Sequence, residues 1–490
     1  MRYVSEYDSW HGTNLNTSQG TAGVVKEVAE DPVLSLVTTR RLAKDWPVLR
    51  DAPVLHHWLD VVEGAAGAEV GVGVVMREED LDAHTHALMR LQHVYNLHAA
   101  HLVHPTPHGP ALRVSDVVSI GIAALDNSMY GRAVEWLSAA LQHTHRQGGD
   151  GDGQHKWNSI RQDRQTQQLN ILLHLSTAVH DHQLTKENHD NHPGNYPLPL
   201  SQVPLEVQKQ EENKVLESQE METSDVISST PRDKQVLSLL CRGHTLLTAS
   251  ESSHLKCHVG SRGSPWLRLM PVKVEEHSLD PAILSFHDLF LPHQLAVLRQ
   301  LSRPLLEQAR VQGADKSLTY MYRSSYNAWL RGPTHPVVRA VNHMIAALTG
   351  LEMDEDKEEA ELLQTNLYGA GGHYIPHMDF LALYRSLWES DNPVEKLMKE
   401  FPNGDRVATF MIYMNKVEEG GRTAFPRVGV SVEPREGSAV FWYNLLPSGK
   451  GDLRMLHAAC PVLRGTKWVS NKWIKHYPQM YHRPCLPLAV

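Results

Sequence analysis

The chain has 490 residues, and it is short of cysteine, with four, and of phenylalanine, with seven. It also has no surplus of positive charge: 47 Lys and Arg against 56 Asp and Glu give a net charge of −9. That mild acidity, spread rather than blocked, argues against a nucleic-acid binder. No apolar run reaches the roughly 18 residues that a membrane-spanning helix needs. The best candidate, Gly64 to Met76, is too short and rich in glycine. The first 25 residues lack the apolar core of a secretory signal, so the start taken alone reads as cytosolic. What the chain does have is histidine, 31 in 490 or about 6%. Metal binding is one meaning of that number, but abundance alone does not establish it. A composition of 41% hydrophobic and 21% charged residues fits a soluble globular protein with some polar linker. The length suggests two to four domains at about 150 residues each.

Residues 28–110 read as helical, with Leu34, Val37, Leu42, Trp46 and Leu49, and then Leu81, Leu88, Leu91 and Tyr95, near helical spacing. A second helical block, 111–182, begins near Ser115 and turns at Asp126 to Ser128. Its Ala/Leu/Trp pattern resembles a helix–turn–helix repeat of the tetratricopeptide kind, with Ile171 to His182 as a partner helix. Residues 183–235 turn polar and read as a linker, and His182, His189 and His192 read as spacer residues there. A connector, 236–275, carries two of the cysteines. From residue 276 two helices are expected, Pro292 to about Leu306 and Pro336 to Leu348. After them come short strand-like runs, RVATFMIYM, SAVFWYNL and TKWVSNKWI, separated by GG, PREG and PSGKGD turns. The fold class that follows is α+β, a helical N-terminal region and then a barrel or jelly-roll core.

The chemistry concentrates in YGAGGHYIPHMDF, Tyr368 to Phe380. His377 and Asp379 are two apart, so on an extended segment their side chains point the same way. His457 lies in RMLHAAC, and Lys467 follows ten residues later in GTKWVSNKW. Two histidines and a carboxylate on one face of a metal leave open positions, the set used by non-haem Fe(II) oxygenases. A lysine on a neighbouring strand can neutralise the distal carboxylate of 2-oxoglutarate. A lone HxD among so many histidines means little; the ordered set of HxD, distal His and Lys is far more specific.

These segments, with RVATFMIYMNKVEEGGRTAFP, GSAVFWYNLLPSGKGD and LHAACPVLRGTKWVSNKWI, resemble the catalytic domain of the prolyl 4-hydroxylases, most closely the α subunit of the collagen enzyme. The likeness is strong over 276–490 and extends weakly to DPVLSLVTTRRLAKDW and ALMRLQHVYNL, where that subunit has its dimerisation region. It implies a double-stranded β-helix (jelly-roll) dioxygenase domain behind dimerisation helices and tetratricopeptide-like helices. By position, the family's iron ligands fall on His377, Asp379 and His457, and its 2-oxoglutarate residues on Lys467, Tyr368 and Thr423. Tyr374, Arg406 and Trp473 match positions that line the peptide-proline pocket, with Tyr374 and Arg406 placed among the catalytic residues. The implied reaction is C4 hydroxylation of proline in collagen-like X-Pro-Gly sequences, coupled to oxidative decarboxylation of 2-oxoglutarate by Fe(II) and O₂. Ascorbate is the family's rescuer of oxidised iron. Tyr130 and Trp136 are candidates for an aromatic groove that takes a polyproline II strand.

The resemblance also implies two disulfides, Cys241 with Cys257 and Cys460 with Cys485, since both pairs match bridged positions. Such bridges place maturation in the endoplasmic reticulum lumen, against the signal-less start and the LPLAV ending, which is not KDEL-like. An incomplete or misassigned N-terminus, with residues 1–27 uncertain, reconciles the two. Protein disulfide isomerase as β subunit and α–α dimerisation are the partners implied. Departures from the family are the SLWESDNPVEKLMKEF insertion, a shortened peptide-binding block, and His373 where glutamine is usual. Two other readings stay open: a hydroxylase of another proline-rich secreted or cuticular protein, and a weakly active collagen-binding or assembly paralogue.

Overall fold

The structure, a computed structural model, describes residues 32–40, 78–103, 112–126, 129–147, 166–181, 229–309, 323–381, 395, 396, 399 and 401–482. The chain divides into two compact units, Met1–Val203 and Pro204–Val490.

The first unit is helical in its described parts. The helix Glu78–Tyr95 buries Leu88 and Leu91 of the expected stripe, with Met89 and Val94 beside them, while Tyr95 is half-buried. The helices Val114–Asp126 and Tyr130–Gln147 pack on each other through Val117, Ile120 and Ala124 against Ala133, Leu137 and Ala140. Gly121 allows the close approach, because a Cβ there would lie 2.9 Å from Leu137 Cγ. The partner helix spans 166–181, a little earlier than expected. Trp136 is fully buried, and its Nε1 donates to Gln92 Oε1 at 2.7 Å. It is a core residue rather than a groove wall, a correction to its expected role; a helical position one turn from Ala133 and Ala140 faces the neighbouring helix, not solvent. Tyr130 is half-buried at the start of its helix. Leu42, Trp46, Leu49 and the linker histidines lie outside the described residues.

In the second unit the polar stretch ends earlier than expected. Pro231–Cys241 is a helix, capped by Thr230, whose Oγ1 accepts from Asp233 N at 3.2 Å while Asp233 Oδ2 accepts from Thr230 N at 2.8 Å. The sequence TPRD therefore starts a helix inside the segment that composition assigns to the linker.

The strands that follow are β1 (Cys257–Gly260), β2 (Val272–Leu279), β3 (Ala282–His287), β4 (Glu307–Gln308), β5 (Tyr326–Leu330), β6 (Leu363–Tyr368), β7 (Tyr374–His377) and β8 (Arg406–Tyr413). After them come β9 (Glu419–Gly420), β10 (Thr423–Phe425), β11 (Val430–Val432), β12 (Ala439–Tyr443), β13 (His457–Ala459), β14 (Val462–Arg464) and β15 (Lys467–Lys475). Nine form one sheet in the order β1-β2-β3-β12-β8-β15-β6-β5-β4, and four form a second, β11-β10-β13-β7. Every pairing within these two sheets is antiparallel.

Alternation along the central strands separates two cores. Ala408, Phe410 and Ile412 of β8, with Ala439 and Phe441 of β12, face the helices Pro292–Ser302 and Pro336–Thr349. Met411 and Tyr413, with Val440 and Trp442, face Phe425, Val430 and Val432 of the smaller sheet. A candidate site on the second face is thus backed by one sheet and roofed by the other.

Candidate active site

β7 ends at His377, and β13 begins at His457, which stands directly opposite it in the antiparallel register. Asp379 follows two residues after His377, and the three ligand atoms lie within 4.8 Å of one another. His377 Nε2 is 3.8 Å from Asp379 Oδ1, and His457 Nε2 is 3.6 Å from Asp379 Oδ2.

Both imidazoles are held by their other nitrogen. His377 Nδ1 lies 2.8 Å from the Ile375 carbonyl, and His457 Nδ1 lies 3.0 Å from the Met455 carbonyl. A carbonyl only accepts, so Nδ1 carries the proton and Nε2 presents a lone pair inward. Burial, reinforced by His457, pushes the His377 pKa down to about 3, so its ring stays neutral. Burial alone would raise Asp379; His457, His377 and Arg406 outweigh it and hold the carboxyl below its ordinary value. A neutral His377 imidazole, a second imidazole whose Nδ1 is likewise turned to a backbone carbonyl, and an ionised carboxylate fit a divalent Fe, and nothing in the donor set favours a thiolate-loving metal.

Outer contacts orient the carboxylate. Thr409 Oγ1 donates to Asp379 Oδ2 at 2.7 Å, and Asn444 Nδ2 donates to Thr409 Oγ1 at 2.9 Å. Tyr374 stacks on His377 with ring centroids 3.6 Å apart, and the Arg323 guanidinium lies 4.7 Å over the Tyr374 ring. Neither Thr409, Asn444 nor Arg323 is singled out by the sequence. Each acts through residues distant in the chain, and no local spacing announces it.

Lys467 opens β15, opposite Tyr368 of β6, and faces the smaller sheet. Its side chain is buried, and Nζ lies 5.8 Å from the Tyr368 ring and 5.6 Å from the Tyr413 ring. Tyr413 donates its hydroxyl to Thr423 Oγ1 at 2.9 Å. Tyr368, Thr423 and Lys467 thus come together as expected neighbours, with Tyr413 added. No carboxylate among the described residues pairs with Lys467, and burial pushes its pKa down to about 7.

Arg406 and Trp473 also meet: the guanidinium carbon is 3.8 Å from the centre of the indole. The Trp473 Nε1 is buried without an acceptor in hydrogen-bonding geometry, though it is near enough to Asp379 to favour the carboxylate. Tyr130 belongs to the first unit.

The disulfide pairing differs from expectation. Cys241 is bonded to Cys460, Cys257 is exposed and unbonded, and Cys485 lies outside the described residues. The packing accounts for this. The helix that ends at Cys241 packs on β10 and β11, β13 pairs with β10, and Cys460 directly follows β13. Cys257 sits on the outermost strand of the larger sheet.

Comparison with known proteins agrees with this geometry. Residues 3–108 match the family model described as the prolyl 4-hydroxylase alpha-subunit, N-terminal region, and residues 363–475 match the 2OG-Fe(II) oxygenase superfamily. Prolyl 4-hydroxylase subunit alpha-1 of Rattus norvegicus is 34% identical over 434 residues, 83% of this chain and 76% of the relative. Subunit alpha-2 of Gallus gallus is 32% identical over 98% of this chain and 89% of its own. Subunit alpha-3 of Bos taurus is 32% identical over 93% and 84%. Among solved structures, the viral collagen prolyl hydroxylase of Paramecium Bursaria Chlorella virus-1, in complex with 2OG, is 22% identical and covers 39% of this chain and 95% of its own, with a TM-score of 0.30. At 34% and 32% identity across most of its length, the chain belongs to the prolyl 4-hydroxylase alpha-subunit family.

Proposed function

We propose that the chain is the catalytic subunit of a procollagen-proline 4-dioxygenase, hydroxylating peptidyl proline at C4 in collagen-like X-Pro-Gly sequences while 2-oxoglutarate is oxidised to succinate and CO₂. The observation that carries this is a buried set of two inward Nε2 atoms and an ionised carboxylate, together with a buried lysine that has no counter-charge among the described residues. His377, Asp379 and His457 would hold Fe(II), which supplies activation of O₂ when bound. Lys467 would pair with the distal carboxylate of 2-oxoglutarate, and Tyr368 and Thr423 would donate hydrogen bonds to it. Tyr374, Arg406 and Trp473 would orient the proline, and the surrounding core would keep water out. The two facing sheets support the double-stranded β-helix, or jelly-roll, reading of this domain.

The helix pair Val114–Asp126 and Tyr130–Gln147 supports a tetratricopeptide-like peptide-binding unit, with Tyr130 at its rim. The match over 3–108 supports α–α dimerisation, and the subunit name of the relatives supports a partner chain, for which protein disulfide isomerase is the candidate. The buried Cys241–Cys460 bond favours an oxidising compartment such as the endoplasmic reticulum lumen. Ascorbate would keep the iron reduced.

The test uses the full chain co-expressed with protein disulfide isomerase, supplied with Fe(II), ascorbate and 2-oxoglutarate. Succinate formation should rise when Pro-Pro-Gly repeats are added, with hydroxyproline formed alongside. Turnover indifferent to every proline-rich peptide would remove the reading.

A further inference from the structure

Glu361 precedes β6 and is half-buried in a cluster of charge just outside the metal site. Its carboxylate grips Arg406 at two points: Arg406 Nε donates to Oε1 at 2.7 Å, and Nη2 donates to Oε2 at 2.8 Å. Lys475 Nζ approaches Oε1 at 2.9 Å from the other side. The Glu361 backbone is tied as well, its N–H donating to the Trp473 carbonyl at 2.8 Å. One residue therefore anchors to the strand that carries Trp473 and holds the guanidinium that lies on the Trp473 ring.

Arg406 has five N–H donors in a rigid fork. Two go to Glu361 and a third, on Nη1, reaches the Asp379 carbonyl at 3.3 Å. Among the described residues the remaining two have no acceptor, which leaves them to meet an incoming carbonyl. A bidentate pair fixes the plane of the guanidinium, whereas a single contact leaves it free to rotate. Without Glu361, Arg406 would be a largely buried cation whose remaining anionic neighbours are Asp379 and Asp405.

We infer that Glu361 is a positioning residue for the prolyl substrate: it holds Arg406 flat on Trp473, and so aims the two spare donors at the peptide rather than at Asp379. This rests on the reading of Arg406 and Trp473 as walls of the proline pocket. Glu361 does not touch the metal set, and Arg406 transmits its effect.

The test follows the anaerobic charge-transfer absorption of the Fe(II)·2-oxoglutarate complex in the full-length protein, with and without a short Pro-Pro-Gly peptide. This band reports peptide seating beside the metal without turnover and is blind to peptide held elsewhere. In Glu361→Gln the band should form at the wild-type 2-oxoglutarate concentration within about twofold, since no cofactor-pocket contact is changed. The peptide concentration that perturbs it should rise about tenfold or more, with a matching rise in peptide KM, as a charged two-point contact is lost. Glu361→Asp, which keeps the charge, should fall between the two. The inference is overturned if Glu361→Gln responds to peptide as the wild type does, or if both variants fail to form the band, which would make the role structural. A wild type that forms the band yet ignores the peptide would instead remove the substrate reading itself, and this inference with it.

Discussion

Two lysines on one strand, five residues apart, occupy opposite faces of β15. Lys467 is 1% exposed and Lys472 fully buried, yet they are in different chemical positions. Lys472 faces the helices and meets Glu355, which also accepts from Asn342 Nδ2 at 3.0 Å and from Gly332 N at 2.7 Å. Lys467 faces the smaller sheet, where its Nζ lies near the rings of Tyr368 and Tyr413 and no carboxylate among the described residues pairs with it. A buried cation with an internal anion completes the fold. One without it destabilises the fold and is best explained by an anion that arrives from outside. Burial by itself therefore does not mark function; the lack of a counter-charge does.

That contrast can be broken in several ways. The largest effect concerns what the lysine pocket serves: His377→Ala should abolish turnover through loss of iron, read by metal analysis and succinate assay. Next, Lys467→Met should raise the 2-oxoglutarate Kd by about a hundredfold or more while raising the Tm of the ligand-free protein, because an uncompensated buried charge is removed. A fall in Tm would show that Lys467 has a structural partner. Lys472→Met should do the reverse, costing about 3 kcal/mol of stability in denaturant unfolding by stranding Glu355, with the 2-oxoglutarate Kd unchanged. Adding Glu355→Gln should restore most of that loss.

The contrast also has a sign in pH. The folded pKa of Lys467, about 7, lies below that of an unfolded lysine, near 10.4, so the unfolded chain binds more protons between those values. Stability of the ligand-free protein should rise with pH across that window. Affinity for 2-oxoglutarate should fall, by up to tenfold per unit above pH 7, since the anion requires the charged lysine. Calorimetric titration at several pH values reads both slopes, and parallel slopes would refute the assignment. Smallest is Thr409→Val, which should weaken metal binding about tenfold by freeing one Asp379 oxygen.

The order in which these residues could be found follows from how they act. His377, Asp379, His457 and Lys467 are legible because metal and anion chemistry restricts residue type and the strands fix their spacing. Leu295 and Leu298 of the helix Pro292–Ser302 are legible by periodicity and are fully buried. Thr409, Asn444, Tyr413 and Glu361 are not legible, since each acts through contacts to residues distant in the chain and any local pattern around them is that of an ordinary strand or loop. Polar composition concealed the helix at Pro231, whose start depends on a Thr230–Asp233 exchange. Trp136 misled because an aromatic side chain suits both a groove and a core. The cysteine pairing depends on which strands lie side by side, which spacing along the chain does not reveal.

The pairing of β7 with β13 has a consequence for biosynthesis. The histidines that face each other there are 457 − 377 = 80 residues apart. A growing chain that has emerged only as far as β12 has His377 and Asp379 but no third ligand. The complete binding set arises only after the ribosome has delivered His457 and the smaller sheet has closed around it, a late event for so non-local a contact. On the proposed ligand set, a nascent chain would offer iron at most a two-ligand foothold, and oxidative chemistry would wait until there is a folded wall to contain it.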